Sequence, residues 1–148
     1  MKVEIDQSGK VEDTNRLTIV AYSNGRTKSL MITAKDKKAI QSIFRRINQT
    51  RVFISKVFAA AIFVLIKADY KKIDTLVIDN EYPGHENIIK RYLREFIDAN
   101  GLKSDAIEIH IQSIGKKSKA HNAAWHAFHF KKADMKVSAQ ELINIIFK

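Results

Sequence analysis

Cysteine is absent from the 148 residues. Disulfides, thiolate metal sites and a cysteine nucleophile are thereby excluded, and the composition fits a reducing compartment. The opening residues Met1-Lys2-Val3-Glu4-Ile5-Asp6 have no apolar signal core. The longest apolar run, Val57 to Ile66, is about half of what a bilayer span needs, so a soluble, cytoplasmic protein without a membrane partner is expected. Internal repeats, low-complexity tracts and linkers are also missing, which leaves one domain over residues 1–148. Its 45% hydrophobic residues suffice for a layered core. There is no Gly-rich phosphate loop, which sets phosphotransferases and nucleotide-binding enzymes aside. Negative charge is scarce: 16 Asp and Glu face 26 Lys and Arg, for a net charge of +10. Such a chain attracts polyanions before any specific contact forms, and nucleic acid is the expected partner.

What is present is organised around Val3 to Gly9, V-E-I-D-Q-S-G. Alternation along a strand sends Val3 and Ile5 to one face and Glu4 and Asp6 to the other. A carboxylate near the end of a central strand is costly to bury without a metal ion, a cation or an array of donors, so Asp6 needs partners from elsewhere. Arg16 to Gly25 and Thr27 to Ala34 read as strands two and three of an antiparallel meander, joined at Asn24-Gly25. Asp36 to Ile47 is predicted helical, with Lys37, Lys38, Arg45 and Arg46 off its apolar face and turned to solvent. A second helix is expected from Thr50, as N-cap, to about Ala68; its Val57 to Ile66 portion is apolar all round and belongs in the core.

Thr75 to Ile78 is an unbroken apolar run leading into Asp79, the pattern of a strand buried on both faces. Pro83-Gly84 ends it, and a helix follows from His85 to Ala99. Ile107 to Ile114 alternates as a fifth strand; a basic loop, a helix from Lys119 to about Ala133 and a last helix from Ser138 complete the chain. The expected class is α/β, a five-stranded mixed sheet (antiparallel meander, then parallel strands) flanked by helices. Strands one, four and five should lie side by side, and ligands bind such sheets at the carboxyl ends of the strands. Asp6, Asp79 and His121, near the start of the helix after strand five, converge on that edge.

D-x-S-G after a first strand, an apolar strand closing on I-D-N-E, and a late helix carrying a ligand residue followed by alanines resemble the RNase H-like nuclease superfamily. Lys119 to Phe128, K-A-H-N-A-A-W-H-A-F, is similar to the corresponding helix of Argonaute PIWI domains, where a histidine is the third ligand; RuvC-like resolvases carry an aspartate there. The resemblance implies an RNase H-like domain with an Asp-Asp-His set formed by Asp6, Asp79 and His121. Many members add a carboxylate on the helix after strand three, but Lys37 to Ala68 contains no acidic residue. Glu81 or Glu86 are the candidates to replace it, and ribonuclease H offers another register with His126 in place of His121. Helical spacing favours His121, which shares a face with Ala124, Trp125 and Phe128; on this reading Trp125 anchors the core while His126 and His129 are solvated.

The implied activity is metal-dependent endonucleolysis of an RNA-DNA hybrid or structured DNA. Two divalent ions can supply the nucleophilic water and stabilise the leaving oxygen of a phosphodiester. Carboxylates such as Asp6 and Asp79 suit Mg²⁺, and an imidazole from His121 widens tolerance to Mn²⁺. Asp6 would bridge the ions, with Asp79 on one and His121 on the other. Lys116, Lys117 and Lys119, at the amino end of the same helix, would hold the nucleic-acid backbone. A homodimer would suit a junction resolvase, with the apolar helix near Val52 to Ile66 as interface. The alternative is a catalytically inactive nucleic-acid-binding module of the same fold.

Overall fold

Residues 1–148 are all described in the computed structural model. Strands β1 (Lys2–Ser8), β2 (Thr18–Ser23) and β3 (Thr27–Ile32) form an antiparallel meander, followed by helices α1 (Ala34–Arg46) and α2 (Phe53–Ile66). Strand β4 (Thr75–Ile78), helix α3 (Glu86–Ala99), strand β5 (Glu108–Ile111), helix α4 (Lys119–Phe130), strand β6 (Met135–Lys136) and helix α5 (Ala139–Ile146) complete the chain. The sheet runs β5-β4-β1-β2-β3-β6. β1 pairs in parallel with β4 and β4 with β5, so the expected trio lies side by side with β4 in its middle, and β1 is an interior strand of the sheet.

The sheet has six strands rather than five. The extra one is only Met135 and Lys136, paired in parallel with Leu30 and Met31. Two residues are too few to show a period-two alternation. Asp134 secures the link by accepting hydrogen bonds from the Ser29 amide (2.9 Å) and hydroxyl (3.3 Å).

The two faces are covered unequally. Val3, Ile5, Val20, Leu30 and Ile32 join residues of α1, α2, α3 and α5 in one large core. On the opposite face Ile19, Ala21 and Met31 form a small cluster with Ala124 and Ala127 of α4, edged by the partly buried Leu17, Ala123, Phe128 and Ala133. Helix α2 is buried along nearly its whole length within the single chain, as an all-round apolar helix requires, so it leaves no apolar face for a dimer interface. No helix is long and apolar enough to cross a membrane.

Several boundaries differ from the sequence reading for local reasons. Thr50 does not cap α2; it opens a 3-10 turn, Thr50–Val52, and the helix begins at Phe53 with no side-chain cap. Strand β5 stops at Ile111, because after the Gln112 amide bonds Ile78 O the Ile114 amide turns to Asp79 instead of the ladder. Helix α4 ends at Phe130, where Lys131 takes a left-handed conformation at φ 53°. Lys37 is the largest departure. Expected in solvent, it is fully buried and donates to Lys10 O (3.1 Å), Asp13 O (2.6 Å) and Thr18 Oγ1 (2.9 Å), tying α1 to the β1–β2 loop. Burial lowers its ammonium to about 8, although Asp13 and Glu12 act the other way.

Candidate metal centre

The register of β1 against its neighbours decides where Asp6 points. It pairs with Ala21, whose side chain lies under α4, so the same pleat aims Asp6 at the α4 face. Asp79 follows β4 directly, and its amide still donates to Ile5 O (2.9 Å); since Ile78 pairs with Ile5, Asp79 stands level with Asp6 on the adjacent strand. The chain then turns, and Glu81 comes back toward both. Carboxylate atoms of Asp6, Asp79 and Glu81 all lie within 4.8 Å of one another, at the carboxyl ends of two adjacent parallel strands.

Each aspartate is held by a backbone donor. The Gln7 amide donates to Asp6 Oδ1 (2.7 Å) and the Ile114 amide to Asp79 Oδ1 (3.0 Å). His121 Nδ1 donates to Asp6 Oδ2 at 2.8 Å, so Nε2 is the ring nitrogen left free of that bond. Asp6 is 2% exposed, yet three carboxylates share this spot with no buried cation to balance them. Lys10 Nζ is the nearest, 3.9 Å from Glu81 Oε2, but it is half in water and screened. The strain shows at Glu81. Burial, followed by hydrogen bonding and repulsion from Asp6 and Asp79, pushes its carboxyl up to about 9, so the metal-free cluster keeps a proton.

Glu81 is positioned by the next residue. Tyr82 is buried, and its Oη accepts from the Val11 amide (3.0 Å) and Gln7 Nε2 (2.9 Å), locking the β4–α3 loop to the start of the β1–β2 loop. Glu86, the other candidate, is turned away: it accepts from the Gly84 amide (2.8 Å) and Asn80 Nδ2 (3.2 Å) and organises the entry to α3. Those bonds hold its carboxyl below the usual range.

Helix α4 starts lower on the sheet than expected. Ser118 Oγ caps its first turn and donates to Glu4 Oε1 (3.2 Å), so the helix begins beside the middle of β1 and advances toward the carboxyl ends, passing Asp6 at His121. Lys119 is carried toward the β2–β3 turn, where its Nζ donates to Gly25 O (3.3 Å), and Lys117 lines the same depression; Lys116 is exposed beside them. These lysines flank the helix start rather than the carboxylates. Close passage of α4 over the end of β1 depends on Gly9: at φ 80°, a Cβ there would sit 2.4 Å from Leu17 O and 2.6 Å from Phe128 Cε2. His126 and His129 are exposed and away from the cluster. Trp125 is not a core anchor; it is 46% exposed, because Ala120, Ala124 and Ala127 make the contact face and a large ring has no room there.

The donor set fits a hard divalent cation. Three carboxylates within 4.8 Å need only small side-chain movements to share an ion, and the proton on Glu81 marks where positive charge is wanted. Asn80 Oδ1, in the same loop, is buried without a partner. Sequence reasoning missed Lys10, Gln7 and Tyr82, whose roles depend on long-range loop contacts. Compared with known proteins, the chain matches no family model, no curated protein and no solved structure.

Proposed function

We propose that this chain is a divalent-metal-dependent endonuclease of RNase H-like architecture that hydrolyses phosphodiester bonds in nucleic acid. The observation that carries the reading is the meeting of Asp6, Asp79 and Glu81 at the ends of adjacent parallel strands, with His121 on Asp6, in a chain of net charge +10. The pairing of β1 with β2 and β4, and of β4 with β5, is the arrangement the resemblance implies.

Asp6, Asp79 and Glu81 would hold Mg²⁺ or Mn²⁺, with His121 Nε2 available as a nitrogen donor or proton acceptor. When bound there, a pair of such ions supplies an activated water and stabilises the leaving oxygen. The chain's own residues prepare the site. The Gln7 and Ile114 amides fix the two aspartates, Tyr82 fixes the Glu81 loop, and His121 fixes the free oxygen of Asp6. Exposed lysines 116, 117 and 119 draw the polyanion to this face. The absence of an acidic residue between Lys37 and Ala68 supported an inactive module; Glu81 supplies a third carboxylate from another loop.

The test incubates the protein with branched DNA, RNA-DNA hybrid and single strands in Mg²⁺ or Mn²⁺, beside Asp6→Asn and Asp79→Asn. Metal-dependent cleavage should fall at least about a hundredfold in each variant, since both lose a metal-holding carboxylate. Cleavage that survives both would overturn the assignment, and binding without cleavage would favour the module.

A further inference from the structure

Helix α4 carries a second feature that the metal centre does not use. Its inner face is built of alanines, while its outer face presents Trp125, His126, His129 and Phe130, all exposed, with Phe130 at 67%. The rings are ordered against one another. Trp125 and His129 stack at 4.0 Å and 26°, with His129 Nδ1 donating to Trp125 O (3.0 Å); His126 and Phe130 are near-parallel at 5.8 Å and 11°. His121, Trp125 and His129 follow at intervals of four, so the stripe starts at the ring that touches Asp6 and runs along one side of the helix.

The surroundings are basic. α4 itself has no carboxylate, and the flanking ones are engaged, Glu4 by Ser118 and Asp134 by Ser29. Arg16 lies over the Phe128 ring at 4.8 Å, and Lys131 and Lys132 follow the helix, both exposed. Beside the stripe, Leu17, Met31, Phe128, Arg16, His129 and Lys131 line a cleft of about 480 Å³, with an apolar floor and a basic rim. Ordered flat rings edged with cations match a polyanion that carries flat aromatic groups. In a duplex those groups are already stacked on one another; in a single strand their faces are free.

We propose that the outer face of α4 is a stacking platform for unpaired bases, so that the nucleic acid engaged next to the carboxylates is single-stranded. This rests on the nuclease reading only for what the strand is led toward. Trp125 is the sole tryptophan, so its emission reports on the platform directly. A short oligothymidylate, about a dozen nucleotides, is titrated into the full chain in EDTA at low salt while Trp125 emission and the anisotropy of a labelled copy are followed. Saturable quenching is expected, with affinity about tenfold weaker in Trp125→Ala and largely kept in Trp125→Phe; a duplex of equal length should bind without quenching. Oligothymidylate binding that leaves the emission unchanged, unaltered affinity in Trp125→Ala, or no binding would overturn the platform. So would a blue shift that depends on protein concentration alone, which would give the face to a second copy of the chain. Because EDTA prevents cleavage, the two readings fail separately: quenching in a protein that never cuts sinks only the nuclease, and cutting without quenching sinks only the platform.

Discussion

Glu81→Gln should flatten part of the pH dependence of stability in the metal-free protein. Crowded by Asp6 and Asp79 and removed from water, the Glu81 carboxyl is pushed from an ordinary 4.5 up to about 9. The folded state therefore keeps a proton that the unfolded chain releases. Its contribution is fully present below about 4.5 and is lost as pH rises toward about 9. Each pH unit inside that window costs up to about 1 kcal/mol for one proton in a partly solvated site, or about 3 °C in Tm for a chain of this length. Lys37, lowered to about 8, works in the opposite sense from there upward, so the comparison is cleanest in the acid half of the window. Glutamine is neutral and close in shape to the protonated acid, so it should behave as Glu81 does at low pH, at every pH. Thermal unfolding in EDTA from about pH 5 to about pH 7.5 should show the variant gaining on the parent by up to about 1 kcal/mol per unit. Parallel profiles would refute the reasoning, because Glu81 would then be ionised in the folded protein. Saturating Mn²⁺ should flatten the trend in the parent, its affinity rising by up to about tenfold per pH unit as it displaces the proton, and that rise should be absent in the variant.

Two further outcomes follow from the contacts around the site. Lys37→Met removes three hydrogen bonds donated by a fully buried ammonium and leaves the Lys10 and Asp13 carbonyls with only the longer bonds from the Asp13 and Arg16 amides and the Thr18 hydroxyl, so urea unfolding should show a loss of about 1–3 kcal/mol; a variant as stable as the parent would contradict the anchoring role. His121→Ala frees Asp6 Oδ2 and removes a nitrogen donor, and calorimetry should find Mn²⁺ affinity about 10–100-fold weaker, whereas His126→Ala should leave it unchanged.

The sheet was legible where patterns were long. Period-two alternation in β1 and the apolar run of β4 place Asp6 and Asp79 at strand ends, and the crossover logic puts their strands side by side. The third carboxylate was narrowed to Glu81 or Glu86 and no further, since the choice is made by the Tyr82 hydroxyl on Val11 and by the Gly84 amide on Glu86, contacts that no local pattern encodes. Trp125 was misplaced because helical spacing was read as putting it on the sheet-facing side with His121, Ala124 and Phe128. The spacing of Ala120, Ala124 and Ala127 already described a contact face too shallow for an indole. Lys37 was sent to solvent because charge is usually exposed, and its three oxygen partners come from a loop about 20 residues away in sequence. Strand β6 carried no signal of its own; it exists because β3 offers an open edge and Asp134 fixes the approach.

The most direct test of the metal centre is anomalous scattering from a crystal soaked in Mn²⁺. A peak bounded by the carboxylates of Asp6, Asp79 and Glu81 is expected, at about 2 Å from their oxygens, and should be lost in Asp6→Asn. No peak between those three side chains, in a protein that cuts nucleic acid in the same Mn²⁺ solution, would contradict the assignment and move the chemistry elsewhere on the molecule.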